Sequence, residues 1–207
     1  RIYLGGGFAE TFENSKSVRY ISRLKAAAAV AESFIAMFQR IVTYAHATRL
    51  LHSLFALPFA LMGAWLGGRG GAPGRPEGGK IFLILWCTLF AYLAAMIFNR
   101  LADYQFDRLN PRTAGRELVS GKISYKAARR FLGFCSAAFV MGATLFWLPL
   151  GAYFGYRNYY PAALSLPALL FICSYSYTKR FTSLSHIWLG AALMAAPLGA
   201  YIAVSPP

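Results

Sequence analysis

The sequence predicts an all-α fold, a polytopic bundle of transmembrane helices. Composition is the first reason: 57% of the residues are hydrophobic and the mean hydropathy is +0.46. A soluble domain of 207 residues would not hide so much apolar surface. The second reason is charge placement. A formal charge of +14 ordinarily raises nucleic acid as a partner, but here the cations lie between apolar runs and not on one amphipathic face. No nucleic acid is therefore expected, and the partner implied is a lipid bilayer.

Five segments are each about long enough to cross a hydrocarbon core of roughly 30 Å: residues 50–67, 81–98, 131–150, 160–177 and 187–204. The first and the fourth are short and contain proline, Pro58 in one and Pro161 and Pro167 in the other. Residues 1–48 precede the first span as an N-terminal segment, and 49–207 form the transmembrane domain. Residues 68–79 are a flexible Gly/Pro connection. Lys and Arg then set the orientation. The segments 1–49, 99–130 and 178–186 hold seventeen of them, and 68–80 with 151–159 hold four. The positive-inside rule places the richer set in the cytosol, in a bacterial inner membrane.

The second span ends in Asn99-Arg-Leu-Ala-Asp103-Tyr-Gln-Phe-Asp107. At spacings of four, Asn99, Asp103 and Asp107 share one helical face with a drift of roughly 40° per step. An amide and two carboxylates are hard oxygen ligands, suited to Mg²⁺, which binds through one or two carboxylates plus substrate phosphate oxygens. An ionisable group at membrane depth marks a functional site by default. The competing reading is an exposed helix end whose acids balance nearby arginines.

Just downstream lie Arg112 and Arg116, in a stretch bounded by the turn signals Asn110-Pro111 and Ser120-Gly121. That places both arginines on a loop folded back over the helix end, where planar guanidinium forks can grip phosphate oxygens. A diphosphate held between Mg²⁺ and arginines is the ligand this suggests. A positive-inside loop that only sets topology would explain the arginines but not the acidic face. The fourth span closes with Tyr175-Ser-Tyr177-Thr-Lys179-Arg180, in which Tyr175 and Lys179 share a face. Lys179 could reach a phosphate while Tyr175 donates a hydrogen bond, although aromatic and Lys residues also belong to ordinary interfacial belts.

Other features carry less. Gly5-Gly6-Gly7 reads as a turn, and no Walker or dinucleotide motif occurs. Cys87, Cys135 and Cys173 lie singly within spans and read as small hydrophobes. His46, His52 and His186 lack metal-ligand spacing, and only His52, at the start of the first span, has any case as a site residue.

Together these elements resemble the UbiA superfamily of intramembrane aromatic prenyltransferases. Its first acidic motif, N-x-x-x-D-x-x-x-D, is matched by Asn99, Asp103 and Asp107. The arginines that follow are matched at Arg112 and Arg116, and a Tyr-x-x-x-Lys signature at Tyr175 and Lys179. Leu54-Phe-Ala-Leu-Pro58-Phe-Ala is most similar to the 4-hydroxybenzoate polyprenyltransferase branch, which serves ubiquinone and menaquinone synthesis. The resemblance runs from about Arg49 to Pro207. It implies a polyprenyl diphosphate, an aromatic acid acceptor and Mg²⁺ at Asp103 and Asp107, with Asn99, Arg112, Arg116, Tyr175 and Lys179 around the diphosphate. The family's second Asp-rich motif has no counterpart, since no Asp or Glu follows Lys179. The resemblance therefore implies an incomplete member, about five of nine expected helices, inactive on its own.

Three alternatives stay open. One is a UbiA-type enzyme with another acceptor. Another is a CDP-alcohol phosphotransferase, although Asp103-Tyr and Asp107-Arg do not supply that family's Asp-Gly pair. The third is a non-catalytic membrane protein whose Asp and Arg residues form an internal ion-pair network.

Overall fold

The computed structural model describes residue 25 and residues 29–69, 78–148 and 157–205. The Gly5-Gly6-Gly7 turn and most of the Gly/Pro connection lie outside the described residues. All regular structure among the described residues is helical: α1 over 29–47, then α2 Leu50–Ser53, α3 Ala56–Arg69, α4 Gly78–Leu109, α5 Tyr125–Leu145, α6 Tyr160–Thr178 and α7 Ser185–Val204. The chain divides into two compact units, Arg1–Val42 and Thr43–Pro207.

Helices α3 to α7 fall on the five segments expected to span, with shifted ends. The first is not continuous: α2 stops at Ser53 and α3 restarts at Ala56, leaving α3 only 14 residues long. The third span begins six residues earlier than expected and ends five earlier. Ser124 is the reason, since its hydroxyl accepts from the Ala127 amide at 3.2 Å and starts α5 ahead of the apolar run. Gly121, at φ +78°, makes the reversal just before it, a conformation that costs glycine nothing. The connection expected over 99–130 accordingly shrinks to 110–124, because α4 carries its period through Leu109.

Two helices, α4 and α7, are long and apolar enough to cross a membrane. At about 1.5 Å per residue, the 32 residues of α4 span about 48 Å, well beyond a hydrocarbon core of roughly 30 Å. Its last turns, from Asn99 onward, therefore project past the apolar slab and carry the polar face.

Packing joins α3 to α7 and α4 to α5 most extensively, with α6 against α4, α5 and α7. One core holds Ala60, Ala64, Leu83, Ile84, Phe146, Ala200 and Val204, and another Ala94, Cys135 and Leu169. Indole N–H groups pin the helices across these cores. Trp86 Nε1 donates to the Ala138 carbonyl at 2.9 Å, and Trp188 Nε1 to Ser174 Oγ at 3.1 Å. Asn158, fully buried, donates from Nδ2 to the Ile202 carbonyl at 2.6 Å and accepts from the Tyr160 amide at 3.0 Å, tying the start of α6 to the end of α7.

Small residues let α3 and α7 touch backbone to backbone, as helices do where lipid supplies no hydrophobic drive. A Cβ on Gly63 would sit 2.1 Å from the Pro197 carbonyl oxygen, and one on Gly67 2.7 Å from that of Tyr201. Neither backbone oxygen can swing aside. Gly63→Ala should therefore destabilise the bundle by about 1–3 kcal/mol and lower its thermal midpoint in detergent. Gly190→Ala, where a Cβ meets nothing within 4 Å, should not lower it.

Candidate functional site

The polar end of α4 meets the end of α6. Helix α6 closes at Thr178, and the Lys179 amide still bonds back to the Tyr175 carbonyl at 3.3 Å, so the Lys179 side chain leaves at the helix terminus. Its ammonium donates to Asn99 Oδ1 at 2.7 Å and to Asp103 Oδ2. It also lies 6.0 Å from the centre of the Tyr175 ring. Arg180 approaches the other carboxylate oxygen, Asp103 Oδ1, at 3.4 Å and donates to the Ala102 carbonyl at 2.7 Å. Its guanidinium is stacked 4.6 Å from the Phe106 ring. The Asp103 side chain is only 14% exposed, so these two cations are what keep a carboxylate tolerable there.

One turn on, Asp107 faces a different element. Both of its carboxylate oxygens lie within reach of Arg116 Nη1, at 2.6 and 2.5 Å. The loop that brings Arg116 back is locally wired. Thr113 Oγ1 donates to the Asp107 carbonyl at 2.9 Å, and Asn110 Oδ1 accepts from the Arg112 amide at 3.0 Å, an Asx turn. Leu118 and Ile123 then bury against Ile97, Ala47 and Ala128, so the loop is seated by an apolar core of its own.

Behind that loop lies a basic pocket lined by His46, Arg49, Arg100, Arg112, Arg116 and Glu117. Arg100 is buried, and its Nε donates to the Ala47 carbonyl at 3.1 Å, closing the end of α1. Arg49 follows in the left-handed region at φ 49°, held by Tyr92, whose hydroxyl donates to the Arg49 carbonyl at 3.1 Å. A non-glycine residue kept in that region signals a surrounding structure that over-determines it.

An apolar cavity of about 270 Å³ opens beside the acid–cation cluster. Asn99 and Tyr175 line it together, and its walls continue along α4 to Ile84 and along α7 to Ala203. The fifteen helical steps from Ile84 to Asn99 make it roughly 22 Å long on the α4 side. Its lining is mostly apolar, with Asn99 and Tyr175 at the end nearest the acid–cation cluster.

Of the residues singled out in the sequence, Asn99, Asp103, Tyr175 and Lys179 come together at the mouth of the cavity. Asp107 pairs with Arg116, and Arg112 joins Arg116 in the basic pocket. The two carboxylates thus hold different partners. Four contributors were not anticipated: Arg180, Arg100, Arg49 and His46. His46 lines the basic pocket, and the His52 side chain lies outside the described residues. Arg100 did carry a signal, a cation within the last turns of an apolar helix.

An α-helical bundle with two apolar helices long enough to cross a membrane, and with carboxylate, amide and cation beside an apolar cavity, defines the class. Residues 56–207 match the model of the UbiA prenyltransferase family, and the chain belongs to that family. It is 34% identical over 158 residues to a 4-hydroxybenzoate octaprenyltransferase of Methylobacillus flagellatus, covering 74% of this chain and 48% of that protein. A protein of the same name from Methylococcus capsulatus is 31% identical over 134 residues, 64% of this chain and 40% of its own. Among solved structures, a UbiA homologue from Aeropyrum pernix superposes with a TM-score of 0.64 at 32% identity, covering 75% of this chain and 50% of that one. A digeranylgeranylglyceryl phosphate synthase superposes with a TM-score of 0.66 at 17% identity over 80% of this chain and 53% of that one, a likeness of fold. The chain spans about half the length of the relatives it matches.

Proposed function

We propose that this chain provides one half of the active site of an intramembrane prenyltransferase. The enzyme transfers a polyprenyl group from an isoprenoid diphosphate to an aromatic acid such as 4-hydroxybenzoate, in quinone biosynthesis. One observation carries the reading: Asn99, Asp103 and Lys179 converge at the polar end of an apolar cavity of about 270 Å³. The site faces the cytosol of a bacterial inner membrane, on the side where seventeen of the twenty-one Lys and Arg residues lie.

The prenyl tail lies in the cavity between α4, α6 and α7. Its diphosphate sits at the mouth, among Asn99, Tyr175 and Lys179, with Arg112 and Arg116 approaching from the loop. The C–O bond breaks with its electron pair leaving on the diphosphate, and an allylic cation remains. Lys179, Arg112 and Arg116 neutralise the charge that develops on the departing oxygens. The electron-rich ring of the acceptor forms the new C–C bond, and the ring carbon then loses its proton. The basic pocket at Arg49 and Arg100 offers guanidinium groups for the acceptor's carboxylate.

Mg²⁺ fits the donors present. Asp103 and Asp107 are hard oxygen ligands one turn apart on α4, and the Asn99 amide shares Lys179 with Asp103. No group of three His, Cys, Asp or Glu side chains gathers among the described residues, so the site is no closed protein cage. That matches an ion that keeps one or two carboxylates and takes its other ligands from phosphate and water. Asp103 and Asp107 would hold it, and when bound it supplies Lewis-acid charge to the leaving group.

The test is chemical. Membranes carrying the full-length gene product, given 4-hydroxybenzoate and a polyprenyl diphosphate, should yield a prenylated phenol on thin-layer chromatography; no such product would reject the reading. A binding measurement adds to it. Mg²⁺ with inorganic diphosphate should raise the thermal midpoint, by the equivalent of about 2.7 kcal/mol at a hundred times Kd. An unchanged midpoint would favour a non-catalytic ion-pair network.

A further inference from the structure

Helical residues 29–42 belong to the first compact unit and stand outside the family match. At about 100° per residue, Val30, Phe34, Met37, Phe38 and Ile41 fall within an arc of roughly 100°, widened by Ile35 and Val42. Glu32, Ser33, Gln39 and Arg40 occupy the opposite half. The apolar face is not packed against protein: Val30 is 68% exposed, Phe34 63%, Phe38 60% and Ile41 57%. Glu32 and Arg40, two charges eight residues apart, bar this helix from crossing hydrocarbon, where each charge costs several kcal/mol at mid-depth. A half-apolar, half-polar helix of this kind is suited to the plane of the membrane–water boundary.

We propose that this segment is an interfacial anchor, its apolar face seated in the membrane–water boundary. Phe34, Phe38 and Ile41 enter the acyl boundary, and Arg40 meets headgroup phosphates from the polar side. Charge favours this occupant over a second protein. Lys25 and Arg40, with Arg19 and Arg23 just ahead in the sequence, outnumber the single acid Glu32 and match an anionic headgroup layer. The bilayer is also already at hand, because α4 and α7 are built to cross it.

Spin labels on the full chain, reconstituted in mixed phosphatidylcholine and phosphatidylglycerol vesicles, test this. Phe34→Cys, Phe38→Cys and Ile41→Cys are compared with Glu32→Cys, Ser33→Cys and Arg40→Cys. The unsubstituted chain is carried through the same labelling as background for Cys87, Cys135 and Cys173. Collision rates are read with oxygen, which concentrates in lipid, and with a polar nickel chelate, which stays in water. The ratio of oxygen to nickel collisions should be several-fold higher at 34, 38 and 41 than at 32, 33 and 40. Low rates with both reagents at 34, 38 and 41 would mean burial against protein, another copy included, and would overturn the anchor. High nickel rates at all six positions would mean a helix in water and would overturn it equally. Prenyl transfer is not read, so failure here leaves the proposed function standing.

Discussion

Asp103→Asn in the full-length gene product is expected to lower kcat by at least about 10²-fold, the scale set by deleting one preorganised electrostatic element. The substitution is isosteric, and its amide oxygen can still accept from Lys179, so geometry is nearly preserved while the charge is lost. Asp103 is the carboxylate nearest the cavity mouth, because its partner Lys179 also bonds Asn99, which lines that cavity. The structural cost is small by comparison. Lys179 and Arg180 are 27% and 28% exposed, so water screens the lost ion pairs and stability should fall by only about 1 kcal/mol. Measuring kcat beside the thermal midpoint separates the two effects. Wild-type turnover in a folded variant would take Asp103 out of the mechanism.

The helices and the acidic face were legible because both are linear patterns. Apolar runs mark α4 and α7, and a spacing of four put Asn99, Asp103 and Asp107 on one side of a helix that does continue through them. The turn chemistry around Asn110 and Gly121 likewise placed Arg116 back over the helix end, where it meets Asp107. Other features have no linear period. Arg49 and Arg116 are neighbours in a pocket although 67 residues separate them, and only the seating of the loop on Ile97 and Ala47 brings them together. The break between α1 and α2 sits at Arg49, whose left-handed backbone no residue type announces. Asn158 looked like part of a plain connection, yet its side chain fastens two helices, since a buried amide must satisfy carbonyls that sequence cannot locate.

Lys179→Met is expected to raise KM for the diphosphate substrate and to lower kcat by about 10²-fold, with Lys179→Arg restoring part of both. Lys179 touches both Asn99 and Asp103, and it enters from the end of a different helix. Its ammonium neutralises Asp103, and substrate phosphate oxygens would compete for the same donors. Removing it leaves Asp103 with Arg180 alone, at 3.4 Å, and leaves the mouth of the cavity one cation short. Because the two side chains share a bond, their losses should not add. The Asp103→Asn/Lys179→Met double variant should lose less transition-state stabilisation than the sum of the single variants, with a coupling of about 0.5–3 kcal/mol. Values of kcat/KM for the four proteins give that coupling directly. Strict additivity would mean that Lys179 acts on the diphosphate without Asp103. The salt bridge seen here would then be only the resting contact of two independent groups, and the carboxylate and the ammonium would serve separate parts of the site.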